Sequence, residues 1–246
     1  MSIFIIGDST ASIKLDTKRP ESGWGEHLKD YLKDQIEIVN KAVNGRSTKS
    51  YLSEGLFAEV LESISFGDYL IIQFGHNDQK HEDEHRYTNP FTTYQENLKY
   101  FVDQAKNKGA IPIILSSVPR RNFISKNRLH RKAVGHYPSS AISFAKREKV
   151  LSIDMYKKTK ELFEYLGYEQ SEQLFLHLAP NQNPNYPNGV IDNTHFSILG
   201  AQMIAGLVAK ELSKLPIPLA NNIDQTKLLT LIQIKEKLYA SQKNNK

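Results

Sequence analysis

Short apolar runs of this sequence alternate with longer stretches that have the periodicity of helices. Five runs rich in isoleucine, valine and leucine have the length of buried strands, and they cover residues 3–6, 36–39, 69–74, 111–115 and 150–153. The helix-like stretches cover residues 24–32, 52–63, 90–108, 138–149, 156–170, 197–214 and 225–242. Because helices alternate with the strands, we predict an α/β fold, in which helices cover both faces of a five-stranded parallel sheet.

Capping residues predict several of the helix ends. Asn89 is a candidate cap, Pro90 fits the first helical position, and Gly109 lies just past the end of the same stretch. Pro138 begins the next helix in the same way, and Ser197 is a candidate cap further along. These signals predict helices that begin near residues 90, 138 and 198.

The length of 246 residues suits one α/β domain with a short addition. We assign residues 1–215 to the domain, and residues 216–246 to a proline-containing linker and an appended amphipathic helix. That helix places most of its apolar residues on one side, namely Leu228, Leu231, Ile232 and Leu238. We expect this side to pack on the domain or on a second subunit of a homodimer.

Composition excludes several classes of protein. No apolar run approaches the ~18 residues that a membrane span requires, so no membrane partner is expected. The absence of cysteine excludes disulfides, cysteine-ligated zinc and a thiol nucleophile. The first residues lack the basic start and the cleavage site of a signal peptide, which predicts a cytoplasmic protein, or a secreted one if the N-terminus has been trimmed.

The net charge of +5 is concentrated in one segment. Residues 120–150 contain nine Lys or Arg residues and a single acidic residue, Glu148. This pattern indicates either a local surface that faces anions or a solvated helix face. The segment has few aromatic residues between its charges, so nucleic acid is not expected as a partner.

The segment His81-Glu82-Asp83-Glu84-His85 fits the H-E-x-x-H pattern of zinc proteases. That chemistry requires both histidines on one face of a helix with an apolar back. Charged and polar residues surround the pattern here, so we expect a solvated loop and assign no metal site to it.

Polar segments, three of which contain a glycine, follow four consecutive strands of the predicted sheet. They are residues 7–10, 44–47, 75–78 and 119–121. Because ligands bind beyond the carboxyl ends of parallel strands, we expect these segments to form one site.

The candidate residues for chemistry come from two distant parts of the sequence. Ser9 follows the first strand, and Asp192 and His195 lie three residues apart at a predicted turn before a helix. A serine nucleophile requires a base, and the base requires an acceptor that fixes its tautomer. The Gly45 backbone and the Asn77 side chain are candidate donors to an oxyanion. Each of these residues is also a common loop former, but all of them together favour a hydrolytic site.

In this order and spacing, the segments Gly7-Asp8-Ser9, Gly45, Asn77 and Asp192-x-x-His195 resemble the four sequence blocks of SGNH (GDSL-type) hydrolases. The fuller variants at residues 7–10, 44–47, 75–78 and 192–196 are most similar to the rhamnogalacturonan acetylesterase subfamily. The resemblance covers roughly residues 3–214. It implies a flavodoxin-like three-layer α/β/α sandwich with a five-stranded parallel sheet.

The resemblance also implies the roles of the residues. Ser9 is expected to be the nucleophile, His195 the general base and then acid, and Asp192 the residue that orients His195. The backbone N–H groups of Ser9 and Gly45 and the Asn77 side chain are expected to form the oxyanion hole. No metal or cofactor is implied, and the expected substrate is an acetylated oligosaccharide of plant cell walls, such as rhamnogalacturonan or xylan.

Arg46, Arg120 and Arg121 are candidate residues for binding galacturonate carboxylates, since they follow strands on the same edge as Ser9. For Arg46 an alternative is a structural ion pair beside Gly45. Two other functions stay open: a thioesterase or lysophospholipase-like hydrolase with the same triad, and a carbohydrate-binding protein without catalysis.

Overall fold

The computed structural model describes residues 1–33 and 36–244 of the chain. Within them the strands are, in chain order, β1 (Ser2–Gly7), β2 (Glu21–Ser22), β3 (Glu37–Asn40), β4 (Tyr69–Gln73), β5 (Ile111–Leu115), β6 (Phe123–Ser125), β7 (Arg128–Leu129), β8 (Leu151–Ile153), β9 (Phe175–Leu178) and β10 (Val190–Ser197). The α-helices are α1 (Trp24–His27), α2 (Thr48–Ser53), α3 (Leu56–Ser63), α4 (Thr93–Asn107), α5 (Tyr137–Arg147), α6 (Met155–Ser171), α7 (Ile198–Leu212) and α8 (Leu231–Asn244).

A parallel sheet of five strands, in the order β3-β1-β4-β5-β8, forms the centre of the molecule. All of its neighbouring strands pair in parallel, which confirms the predicted α/β class and the five predicted strands. From β1 the chain first moves outward to β3 and then returns to β4 on the other side of β1. The order of the strands therefore reverses between β1 and β4, and the region at their carboxyl ends, here called the crevice, is where ligands bind in sheets of this kind.

Helices cover both faces of the sheet, and side chains that alternate along its strands are buried in two separate apolar clusters. In β1, Ile3 and Ile5 belong to one buried cluster with residues of α1, α6, α7 and α8. Phe4 and Ile6, which alternate with them, belong to a second cluster with residues of α2, α3, α4 and α5. This alternation produces the expected three-layer sandwich.

Three predicted helices begin or break differently from the expectation. The helix predicted over residues 52–63 is split into α2 and α3, because Gly55 adopts the left-handed region with φ of +75°. Helix α4 begins at Thr93 and not at Pro90, because the Asn89 side chain accepts a hydrogen bond from the Phe91 N–H and forms a turn before the helix. Residues 24–32 form the short α1 and then a 3₁₀ turn.

Other predicted helix ends are confirmed. Gly109, with φ of +73°, lies just past the end of α4. Pro138 lies in the first turn of α5, and the Ser197 side chain accepts from the Gly200 N–H at the start of α7.

A second, antiparallel sheet in the order β2-β10-β9 was not expected from the sequence. It lies beside the first turn of α7, since β10 ends at Ser197 and α7 begins at Ile198. Asp192 and His195 lie on β10, so the prediction that they occupy a plain turn is wrong. The register between β9 and β10 shifts between Asp192 and Phe196, and this bulge replaces the expected turn.

The last helix, α8, packs beside α6, and Ile234 and Leu238 are its buried residues. It begins at Leu231 rather than near residue 225, because the Gln233 N–H donates to the Thr230 hydroxyl oxygen and caps the helix there.

Ile232 is 61% exposed, so the prediction that it lies on the packed side is wrong. The buried stripe instead runs through Ile234 and Leu238, which are four residues apart. The final two residues of the segment predicted as 216–246 lie outside the described residues. Among the helices that the structure describes, none combines the length and the apolar character needed to cross a membrane.

Candidate active site

Ser9 lies on a tight turn directly after β1. The turn closes when the Ala11 and Ser12 N–H groups donate to the Asp8 carbonyl oxygen at 3.1 and 3.2 Å. The Asp8 carboxylate accepts hydrogen bonds from the Thr10 N–H and hydroxyl at 2.9 and 2.8 Å. Asp8 is fully buried, and its hydrogen bonds fix the turn. The fixed turn places the Ser9 side chain at the crevice.

The side chains of Ser9, His195 and Asp192 form a continuous hydrogen-bonded chain. Ser9 Oγ lies 2.9 Å from His195 Nε2, and His195 Nδ1 lies 2.7 Å from Asp192 Oδ2. With Nδ1 donating to the carboxylate, Nε2 is free to accept the serine proton. The structure thus brings Ser9 together with two residues that lie more than 180 positions away in the sequence.

Asp192 is held as a carboxylate by its neighbours. Partial burial alone would raise the pKa of Asp192, but the hydrogen bond and the charge of His195 outweigh that effect. The backbone N–H groups of Thr194 and His195 also donate to Asp192 Oδ1 at 2.7 and 3.0 Å. Together these contacts lower the pKa of Asp192 to about 2, so it stays ionised across the working range of an esterase.

The candidate oxyanion donors converge on the same crevice. Gly45 follows β3 with φ of +76°, a conformation that glycine adopts without strain. Asn77 follows β4, is 5% exposed, and donates from Nδ2 to the Arg46 carbonyl oxygen at 3.1 Å. In the part of the chain that the structure describes, no acceptor is found for the backbone N–H groups of Ser9 and Gly45. Donors without an internal acceptor are what an oxyanion hole requires.

Buried acids support the loops that carry these donors. Asp8 Oδ2 lies 3.2 Å from His76 Nδ1; burial would raise the pKa of Asp8, but His76 and Thr10 lower it below its ordinary value. Asp78 Oδ1 accepts from the backbone and hydroxyl of Thr48 and from the Thr88 hydroxyl. Asp78 thereby ties the loop after β4 to the first residue of α2.

Arg121 is not available to a substrate, so its predicted role in binding carboxylates is wrong. Its side chain is 1% exposed and donates to Ser171 Oγ, Asn193 Oδ1 and the Tyr168 carbonyl oxygen. The guanidinium also lies 4.3 Å from the centre of the Tyr168 ring. Arg121 therefore stabilises β10 through its contact with Asn193.

Arg120 and Arg46 have different surroundings. Arg120 Nη1 donates to the hydroxyl oxygen of Thr194, the residue before His195, at 3.3 Å. Arg120 Nε is buried without a hydrogen-bond partner among the described residues. Arg46 pairs with Glu54 at 2.7 Å and donates to the Asn44 carbonyl oxygen, which is the structural pair that the sequence offered as its alternative role.

The segment with the H-E-x-x-H pattern forms exposed turns. His81 and His85 face different carboxylates: His81 lies 3.0 Å from Glu82, and His85 lies 3.2 Å from Glu54. Within the described residues, the structure has no cluster of acidic and histidine side chains that would hold a metal ion.

Sequence reasoning missed three residues near the crevice. Arg86 pairs with Asp83 through Nε and one terminal nitrogen, and its Nη1 lies 3.9 Å from the position of a Cβ on Gly45. Lys14 donates to the Ser9 carbonyl oxygen, and Glu21 lies 4.0 Å from His195 Nε2. Nothing local in the sequence marks these residues, since they depend on pairing between distant segments.

Comparison with known families is consistent with this geometry. The profile of the family described as GDSL-like Lipase/Acylhydrolase matches residues 3–208. The chain is 41% identical to the rhamnogalacturonan acetylesterase RhgT of Bacillus subtilis over 223 residues, which cover 91% of this chain and 94% of that protein. It is 28% identical to a rhamnogalacturonan acetylesterase of Emericella nidulans over 235 residues, with 85% and 83% of the two chains covered.

Solved structures share the fold at lower identity. The Bacillus subtilis protein YXIM has a TM-score of 0.73 and 23% identity over 89% of this chain, and the match spans 57% of that protein's length. The acetylxylan esterase Axe2 of Geobacillus stearothermophilus has a TM-score of 0.60 and 16% identity, with 86% of this chain and 93% of the other covered.

Proposed function

This chain belongs to the GDSL-like lipase/acylhydrolase family and is a carboxylic ester hydrolase, and on that premise we propose that it removes acetyl groups from rhamnogalacturonan-type carbohydrate. The observation that carries the proposal is the hydrogen-bonded chain from Ser9 through His195 to Asp192. The names of relatives from a bacterium and a fungus supply the substrate class.

In the first half of the reaction, Ser9 Oγ attacks the acetyl carbonyl carbon while His195 Nε2 takes the hydroxyl proton. The Ser9 and Gly45 N–H groups and the Asn77 amide donate to the oxygen that becomes negative. The tetrahedral intermediate then collapses, the C–O bond to the sugar breaks, and His195 returns its proton to the sugar oxygen. The product bound to the enzyme is acetyl-Ser9.

The second half repeats these steps with water. His195 removes a proton from a water molecule that attacks the acetyl carbonyl carbon, and the same donors hold the oxyanion. Collapse releases acetate and returns the proton to Ser9 Oγ. Asp192, ionised throughout, keeps His195 in the required tautomer and stabilises the imidazolium.

The polar surroundings favour a small acyl group on a sugar over a long lipid chain. The side chains that lie against Ser9 and His195 include Lys14, Glu21 and Asp192, all of which are ionisable. A lipid acyl chain would be expected to meet apolar walls at this point.

Two arginines at the crevice fit the charge of a galacturonate-bearing substrate. Arg120 contacts Thr194 beside His195, and Arg86 Nη1 lies near Gly45. Arg86 already holds Asp83 through Nε and Nη2, so its Nη1 and the Arg120 guanidinium offer a substrate carboxylate single charge-assisted hydrogen bonds rather than bidentate pairs. These two residues bind an acidic sugar next to the acetylated one.

The test measures acetate release from acetylated rhamnogalacturonan fragments and from neutral acetylated xylan fragments. A parallel assay compares acetyl with octanoyl nitrophenyl esters. We expect a preference for the acidic fragment and for the acetyl ester. A preference for octanoyl ester would indicate a lipid hydrolase, and no hydrolysis of any ester would refute the esterase proposal.

The arginine contribution is tested with Arg120→Ala and Arg86→Ala. Each is expected to lower kcat/KM for the acidic fragment by about three- to thirtyfold, less at high salt, with little change for xylan fragments. Arg147→Ala is the control, because Arg147 ends α5 before β8 begins and so lies at the opposite edge of the sheet. Equal losses on both substrates would show that the arginines do not bind substrate carboxylates.

A further inference from the structure

A lysine is buried directly behind the nucleophile. The side chain of Lys14 is fully buried. Its ammonium donates to the Ser9 carbonyl oxygen at 2.5 Å and to Asn44 Oδ1 at 2.7 Å, and lies 2.8 Å from Glu21 Oε1. An ammonium has three donors, and all three face oxygen atoms here.

These three oxygens belong to separate parts of the active site. Ser9 carries the nucleophile on the turn after β1. Asn44 precedes Gly45, whose N–H is proposed to bind the oxyanion. Glu21 lies on β2, which pairs with β10 through Ser197. The Lys14 ammonium is thus a single point at which the nucleophile, the oxyanion loop and the strand beside β10 are joined.

The partner of Lys14 lies close to the atom that changes charge in the reaction. Glu21 Oε1 is 4.0 Å from His195 Nε2, the nitrogen that takes the proton from Ser9. A carboxylate at that distance favours the imidazolium that forms during attack. Glu21 is 8% exposed, and a buried carboxylate requires a compensating charge, which Lys14 supplies.

Burying the Lys14–Glu21 ion pair costs free energy of desolvation. Burial lowers the pKa of Lys14 from its ordinary value, and the hydrogen bond and charge of Glu21 only partly offset this. Replacing such a pair by apolar residues is often neutral or stabilising in other proteins, so stability alone does not account for a buried ammonium.

We propose that Lys14 is a positioning residue for the ester hydrolysis: it fixes Ser9 relative to the Gly45 loop and holds the Glu21 carboxylate beside His195 Nε2. This inference rests on the proposed function, since it assigns a role within the same reaction. Lys14 and Glu21 do not exchange protons with the substrate. Lys14 acts by placing Ser9, and the Glu21 carboxylate acts through its negative charge close to His195 Nε2.

The first test compares Lys14→Met, which keeps the length and apolar stem of the side chain, with wild type. Nitrophenyl acetate is the substrate, because its hydrolysis needs the esterase site but no carbohydrate recognition. We expect kcat to fall by about ten- to a hundredfold with KM changed less than about threefold, as for a loss confined to the transition state. Lys160→Met is the matched control, since it breaks an ion pair with Glu164 on the surface of α6.

The second test measures kcat/KM as a function of pH. On the acid side of this curve, here called the acid limb, kcat/KM falls as the base of the free enzyme becomes protonated. Among the described residues, the charged groups around His195 include Asp192 on Nδ1, Glu21 near Nε2, Lys14 on Glu21 and Arg120 on Thr194, and the titratable Tyr186 lies near Glu21 and Asp192. Loss of the carboxylate in Glu21→Gln is expected to move the limb to lower pH. Loss of the cation in Lys14→Met is expected to move it to higher pH, and the double variant is expected to return toward wild type.

The outcomes separate this inference from the proposed function. If wild type does not hydrolyse the acetyl ester, the proposed function fails. If wild type is active but Lys14→Met matches Lys160→Met, or if the limb does not move in Glu21→Gln, the positioning role is overturned. Should Lys14→Met fail to fold, the limb of Glu21→Gln alone decides the question.

Discussion

Asn77 can donate to a substrate oxygen while it remains anchored. One N–H of its amide donates to the Arg46 carbonyl oxygen, which leaves the second for the oxyanion. Asn77→Ala is therefore expected to lower kcat by about 10²- to 10³-fold with a smaller change in KM. Steady-state kinetics on nitrophenyl acetate measures both, with Gln79→Ala on the same loop as the control. An effect on KM alone would make Asn77 a substrate-binding residue instead.

Asp78 makes stability depend on pH. Full burial raises the pKa of Asp78 from 3.8 to about 7, although hydrogen bonds from Thr48 and Thr88 oppose this. The folded protein therefore keeps a proton that the unfolded chain has already released above pH ~4, and this contribution to stability is lost as pH rises through ~7. Asp78→Asn keeps the acceptor oxygen and does not titrate.

We expect the free energy of unfolding of Asp78→Asn, relative to wild type, to increase as pH rises from about 4 to 7 and to level off above that. Urea unfolding at several pH values measures the difference. Asp103→Asn, at an exposed position on α4, is the control. A difference between variant and wild type that is constant with pH would contradict the assignment.

The candidate triad was predictable because short motifs carry it and because the topology places strand ends together. Ser9 follows an apolar strand, and Asp192 and His195 are close in sequence. The roles of Lys14 and Glu21 were not predictable, because the approach of Glu21 to His195 depends on the pairing of β2 with β10. Arg121 was misassigned because its position after β5 is correct but its side chain turns toward Asn193, a direction that sequence spacing does not reveal.

Ser197 joins the strand that carries the triad to the helix behind it. Its hydroxyl oxygen accepts from the Gly200 N–H at 3.0 Å, and its hydroxyl donates to the Gln173 carbonyl oxygen at 2.7 Å. Ser197→Ala removes both bonds and is expected to cost about 1 to 2 kcal/mol in free energy of unfolding.

Chemical denaturation measures this cost. Ser213→Ala, which removes a hydroxyl after the other end of α7, is the matched control and is expected to cost less. Equal effects of the two substitutions would show that the cap is not what fixes the start of α7.

The elements that sequence patterns predicted are those with a continuous apolar signal. Strands β1, β4 and β5 of the central sheet are buried nearly throughout and therefore appear as apolar runs, and the edge strands β3 and β8 keep enough apolar residues to be recognised. Strand β10 was missed because its exposed positions include Ile191, at 81% exposure, and because its polar residues include Asp192 and His195 of the candidate triad. A strand whose residues are selected for chemistry loses the alternation by which strands are recognised.

The last helix shares its core with the central sheet. Ile234 belongs to the same buried cluster as Ile3 and Ile5 of β1 and Trp24 of α1. Ile234→Ala is expected to lower the free energy of unfolding by about 2 to 5 kcal/mol, whereas Ile232→Ala at its exposed neighbour is expected to change it by less than about 0.5 kcal/mol.

Trp24, the single tryptophan, is fully buried and reports on the domain core. Its fluorescence midpoint in urea is expected to fall in Ile234→Ala together with the loss of helical signal. A Trp24 transition that stays at the wild-type midpoint would mean that α8 unfolds separately from the domain.

Ser9 lies where three loops and the second sheet meet. We propose that Ser9 carries the acetyl group during the reaction. The direct measurement is mass spectrometry of the protein after rapid acid quench with an acetylated rhamnogalacturonan fragment, followed by peptide mapping. We predict a mass increase of one acetyl group on the peptide that contains Ser9, and none in Ser9→Ala. An acetyl group on a different residue, or full acetate release by Ser9→Ala, would contradict the account.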